Sequence, residues 1–242
     1  MLLILSVAVL WWFVRNDRAE YTAFKRLTNT ADRQRYYRTW VLKSFLVFFG
    51  TSIVSLLILR ALPSLITLPA EFIPVAAKLG AVMPTTQFLD KSFLLGVAVA
   101  AMVTGILLGV LMAKKLRTSH ATLGDIEPLM PRNGAETGWA ALLSINAGLS
   151  EECFFRLLLP LLLTGLLHKP LLAFAIATIL FGLVHLYQGV VGVVATTLLG
   201  VLMAGMYLWT GDLWVAIAVH AGLDLFGLVV RPTFMRVLHR PA

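Results

Sequence analysis

The sequence predicts an all-α fold, a polytopic transmembrane helical bundle of about seven spans, and three observations carry that prediction. The 242 residues are 59% hydrophobic and only 13% charged, with a mean hydropathy of +0.87, far more apolar than a soluble globular domain. Apolar runs recur at lengths that cross a bilayer as helices. The basic residues gather in alternate connections between those runs, as positive-inside topology requires. The formal charge of +8 therefore reflects topology, and the expected partner is the lipid bilayer, with no nucleic acid. One cysteine, Cys153, excludes an internal disulfide framework and a cysteine metal cluster.

In chain order, residues 1–14 read as a short first span with its N-terminus outside, since the run lacks the basic start and small-residue cleavage pattern of a signal peptide. Residues 15–38 carry Arg15, Arg18, Lys25, Arg26, Arg33, Arg35 and Arg38 against Asp17, Glu20 and Asp32. They read as a solvated cytoplasmic loop with an amphipathic helix on the headgroups. Residues 40–62 cross next, and Pro63, Pro69, Pro74 and Pro84 punctuate an outer connection. Residues 92–113 cross back, with Gly105 and Gly109 spaced for close helix packing, and stop at Lys114, Lys115 and Arg117. Residues 118–137 read as a solvated linker.

Residues 139–167 form the following run, in which Gly148 is expected to divide a short approach helix from the span proper. Runs at 171–187, 190–209 and 213–230 complete the set, and Arg231, Arg236 and Arg240 mark a cytoplasmic C-terminus. Trp139, Tyr187, Trp209 and Trp214 fall at span ends, where aromatic rings favour the interface. The chain thus divides into N-terminal membrane helices with basic loops (1–137), a motif-bearing helical core (138–230) and a basic tail (231–242).

The organising stretch is Ser150-Glu151-Glu152-Cys153-Phe154-Phe155-Arg156, which sets three charges inside a span. Intramembrane charges are costly and line bundle interiors or wet cavities. Glu152 and Arg156 are spaced i,i+4 with the acid N-terminal, the favourable order for an ion pair, and Glu151 points about 100° away. One carboxylate is expected to be paired and the other free. Pro160 lacks the N–H that would bond the Arg156 carbonyl, so a kink is expected just beyond the charges. Phe181 and His185 share a face of the next span, as do His220 and Asp224 in the last. His120, His168 and His239 lie in loops or the tail and read as incidental, and Cys153 as a small buried hydrophobe.

Carboxylates and imidazoles in this company suit hydrolysis, in which a general base deprotonates water and donors stabilise the oxyanion. Glu151 and His185 can share that water. Alternatively His185, His220 and a carboxylate can hold a divalent metal such as zinc with water in an open position. The residues alone leave both routes open. The H-E-x-x-H helix of common zinc proteases is absent.

Glu151-Glu152-x-x-x-Arg156, Phe181-x-x-x-His185 and His220-x-x-x-Asp224 resemble, in order, spacing and helix placement, the EExxxR, FxxxH and HxxxN/D motifs of the CAAX-protease and bacteriocin-processing (Abi) family. The resemblance covers roughly residues 139–230, and its eukaryotic members remove the last three residues of prenylated CAAX proteins. It implies an intramembrane endopeptidase in which Glu151 and His185 activate water, His220 and Asp224 face the oxyanion, and Glu152 and Arg156 hold the helix. Two departures stand out. Leu157 occupies a position that is often Gly, and Asp224 one that is Asn in many members. An ionised carboxylate accepts hydrogen bonds but cannot donate one to an oxyanion, so Asp224 is expected to orient His220 or to bind metal.

The expected substrate is a membrane-associated or C-terminal peptide, or a lipidated protein, reached from a site open to the cytoplasm. In a prokaryote, peptide or bacteriocin processing or immunity is the more natural role. Two other classes compete. A proton-coupled transporter also uses intramembrane Glu, His and Asp, but the ionisable cluster here occupies one half of the chain, without paired repeats. A non-catalytic membrane adaptor on the same scaffold would not need the full set of motif residues. Oligomeric state is not legible in the sequence.

Overall fold

A computed structural model describes residues 1–82 and 124–238, and every regular element among them is helical. The helices are α1 (Leu2–Val14), α2 (Asp17–Lys25), α3 (Thr30–Ser44), α4 (Thr51–Ile58), α5 (Ile73–Val82), α6 (Gly134–Glu152), α7 (Leu159–Leu167), α8 (Pro170–Leu183), α9 (Gly189–Thr210), α10 (Leu213–Leu225) and α11 (Arg231–Leu238). π-helical turns at Phe45–Gly50, Cys153–Leu158 and Phe226–Val230 join α3 to α4, α6 to α7 and α10 to α11 without a break.

Three described stretches, Thr30–Ile58, Leu186–Thr210 and Leu213–Phe234, are long and apolar enough to cross a membrane, and Pro170–Leu183 is a shorter apolar helix. Among the described residues these three stretches correspond to the expected spans at 40–62, 190–209 and 213–230, and they do not by themselves establish the count of seven. Thirteen residues make α1 about 20 Å long, short of a 30 Å hydrocarbon core. The run at 92–113, with Gly105 and Gly109, lies outside the described residues, as do His120 and His239. The second expected span starts ten residues earlier than its hydropathy suggests, because Asn29 caps α3 by accepting from the Ala31 N–H at 2.8 Å.

Local chemistry sets the remaining boundaries. Asn133 caps α6 through the Glu136 N–H at 3.0 Å, and Asp212 caps α10 through the Trp214 N–H at 3.0 Å. Gly211 ends α9 with φ 66°, a left-handed conformation that glycine adopts without a Cβ clash. Gly148 does not divide its helix, since α6 runs unbroken through it. Its role is contact: a Cβ there would lie 2.7 Å from the Ala221 nitrogen and 2.9 Å from the Ile217 carbonyl oxygen. The missing side chain lets α6 and α10 touch backbone to backbone, which sets Glu151 and Glu152 beside His220.

Two apolar cores flank that contact. Rings run from α1 to α8 through Phe13, Phe48, Phe154, Phe155 and Phe181, with successive centroids 4.7 to 5.3 Å apart. Phe72, Phe174, Met203 and Tyr207 build the second core, which also buries Cys153.

A third cluster corrects the expectation of solvated basic connections. Tyr21, Phe24, Tyr37 and Leu129 bury one another, and Arg33 is fully buried with its Nε 3.0 Å from Glu136 Oε2. Arg33 also donates to the Pro128 and Met130 carbonyls at 3.0 and 3.1 Å. Tyr21 donates to the Asp125 carbonyl and Lys25 pairs with the Asp125 carboxylate. Residues 124–133 are therefore clasped onto α2 and α3. A buried guanidinium needs several acceptors at once, and this stretch supplies them.

Candidate active site

The motif helix places its two glutamates in different surroundings, as their angular offset demands. Glu152 is fully buried and divides its carboxylate between two partners. Its Oε1 lies 2.6 Å from His220 Nδ1, and its Oε2 lies 3.1 Å from Arg156 Nε. Glu151 turns into a cavity of about 100 Å³ whose lining also includes His185, Tyr187, Tyr21, Trp40 and Asp17. The Glu151 Oε2 atom is buried and has no protein hydrogen-bond partner.

Arg156 sits in the π-helical turn Cys153–Leu158, where the Leu159 N–H reaches back five residues to the Phe154 carbonyl. The irregularity expected near Pro160 thus takes the form of a π turn before the proline, and such turns recur at functional sites. The guanidinium lies over the Phe181 ring at 4.1 Å. None of its three nitrogens meets hydrogen-bond geometry, so charge and the ring face hold it in place.

His185 lies two residues beyond the end of α8, not on the helix itself, in the turn before the short Leu186–Gln188 helix. The helix end leaves carbonyls without partners, and His185 Nδ1 takes that of Phe181 at 2.8 Å. A carbonyl only accepts, so Nδ1 carries the proton and Nε2 keeps a lone pair for a water. Phe181 is the hub of the site: its ring meets Arg156 on one side and packs against His185 at 5.0 Å and His220 at 5.9 Å.

Asp224, expected to orient His220 or to bind metal, meets one of its two ring nitrogens. Glu152 occupies Nδ1, and Asp224 Oδ2 stands 3.8 Å from Nε2 with its side chain 33% exposed. The carboxylate on the neighbouring helix reaches Nδ1 across the close contact at Gly148, whereas Asp224, one turn along the same helix, meets only the other nitrogen. Tyr187, expected at the membrane interface, lines the cavity with its ring 5.9 Å from that of His185. Among the described residues no three His, Cys, Asp or Glu side chains gather closely enough to hold a metal ion.

This geometry agrees with one comparison. Residues 133–226 match the family model described as Type II CAAX prenyl endopeptidase Rce1-like. The resemblance read from the motifs is thereby shown for that segment, and all seven motif residues lie inside it. Comparison with curated proteins and with solved structures returned no match. The matched model describes a protease family, and the match, with the apolar spans, supports an integral membrane protein.

The Rce1-like segment does not supply the whole cavity wall. Phe13, Asp17, Tyr21, Trp40, Ser44, Phe48 and Leu129 come from before it. No motif announces these residues, and Asp17 carries only the faint signal of an acid in a basic stretch just after an apolar run.

Proposed function

We propose that this protein is an intramembrane endopeptidase that hydrolyses a peptide bond of a membrane-associated or C-terminal peptide with a water held between Glu151 and His185. The supporting observation is that these two groups line one cavity, the first with an unpartnered buried oxygen and the second with an unprotonated Nε2. The water donates to Glu151 and to His185 Nε2, loses a proton as its oxygen attacks the scissile carbonyl, and the leaving amine recovers that proton. His220, anchored through Nδ1 by Glu152, presents Nε2 to the oxyanion and donates to it when the ring carries both protons. Asp224 faces the same nitrogen and supports that charged form of the ring. Arg156 fixes Glu152, and through it His220, so it acts as a positioning residue. We assign the site to the cytoplasmic side, supported by Asp17 and Tyr21 of the basic stretch 15–38 and by Leu129 in the cavity wall.

The test is cleavage of a mixed library of lipidated and unlipidated peptides by purified protein in detergent, comparing wild type with Glu151→Gln and His185→Ala. Both variants are expected to lose cleavage. A chelator arm distinguishes water held by this pair from water on a metal. Proton flux in liposomes without any cleavage would favour a transporter instead.

A further inference from the structure

The cavity that Glu151 and His185 share is completed by Asp17, which enters its wall from the first position of α2 and lies outside the Rce1-like segment. Asp17 belongs to a group in which one ammonium serves two carboxylates. Lys43 Nζ is 3.1 Å from Asp17 Oδ1 and 3.2 Å from Glu20 Oε1. Glu20 also accepts from Trp40 Nε1 at 3.2 Å. One negative charge is therefore left over, and of the two carboxylates only Asp17 lines the cavity. No lysine or arginine is among the described lining residues. Burial pushes the Asp17 carboxyl up to about 6, which fits an anion short of partners.

A substrate group lodged here meets Asp17 and Glu151 together. A substrate carboxylate would face two acids with the one ammonium already shared. A substrate cation would pair with Asp17 and leave Lys43 to Glu20. The cavity, at about 100 Å³, is small beside the 300–1,000 Å³ pockets that hold whole small molecules, so it suits one side chain or a chain terminus. Resting on the protease reading above, we propose that the cavity selects peptides with a cationic amine or guanidinium beside the scissile bond, with Asp17 as the specificity-determining carboxylate.

The experiment uses full-length protein in detergent and peptides identical except for Lys, Gln or Glu next to the cleaved bond, each with a free or acetylated amino terminus. Wild type is expected to show kcat/KM about tenfold or more higher for a cationic peptide than for its neutral counterpart. The Lys-against-Gln and free-against-acetylated pairs tell a side chain from a terminus. Asp17→Asn is expected to bring the ratio within about twofold, Asp17→Lys to favour the Glu peptide, and Asp17→Glu to keep the wild-type order. Retention of the ratio in Asp17→Asn, or a wild-type preference for Gln or Glu, would overturn the proposal, and the second result needs no variant to fold. Binding of the same peptides, read by fluorescence anisotropy, separates the two readings. A cation preference in binding without any cleavage would overturn the protease alone, and cleavage without the preference would overturn the role of Asp17 alone.

Discussion

Glu152 holds two helices with one carboxylate, Arg156 on its own helix and His220 on α10. Glu152→Ala strips both partners, and breaking a buried ion pair costs about 3–5 kcal/mol. The variant should melt well below wild type in detergent and lose cleavage. Glu152→Gln keeps an acceptor for His220 Nδ1 and should fall between the two. Equal melting of Glu152→Ala and wild type would remove Glu152 from this structural role. The Glu152–Arg156 pair was legible in the sequence because i,i+4 spacing fixes neighbours on one helix. The Glu152–His220 contact was not, since periodicity tells which face a residue shares but not which helix lies opposite. Asp224, next to His220 by the same spacing rule, looked like its partner for that reason.

Helix α6 meets α10 at Gly148, and the contact is close enough that any Cβ must move backbone. Gly148→Ala should cost about 1–3 kcal/mol by overpacking and reduce cleavage, because a shift of α10 carries His220 away from Glu152. Gly138, with open space around its would-be Cβ, provides the control on the same helix. Gly138→Ala should match or slightly exceed wild-type stability, since alanine is the better helix former. Matching melting curves for the two variants would mean that the contact does not position the site. In the sequence Gly148 looked like a helix divider. A glycine in an apolar run signals a break and a close approach alike, and only the neighbouring helix distinguishes them. Likewise, the end of α8 at Leu183 was hidden inside a continuous apolar run, although it frees the carbonyl that fixes His185.

Across the whole molecule, the Arg33–Glu136 clasp joins the N-terminal helices to the Rce1-like segment, and its acid and Asp17 titrate with opposite signs. Burial pushes the Glu136 carboxyl up, but hydrogen bonds from the Arg132 backbone, Thr30 and Arg33, with the Arg33 charge, outweigh it and hold it below the ordinary value of 4.5. Glu136 therefore contributes stability above pH 4.5 that is lost as pH falls through its folded-state value. Asp17 behaves oppositely: its carboxyl is raised from 3.8 to about 6, so its contribution is full below pH 3.8 and lost as pH rises through 6. Thermal melting should show Glu136→Gln flattening the acid limb, and Asp17→Asn gaining stability over wild type near pH 7.5 but little near pH 4. The helical class and the family resemblance were legible because hydropathy and ordered motifs are local properties. The clasp was not, because Arg33 and residues 124–133 look solvated until a partner surface buries them. The central claim, that Glu151 and His185 activate a water for peptide hydrolysis, is tested most directly by the cleavage rate of Glu151→Gln, which keeps size and hydrogen bonding but removes the base. The account predicts a loss of at least about 100-fold, in the range of general-base contributions, with an unchanged melting profile. Cleavage at the wild-type rate by Glu151→Gln would contradict it.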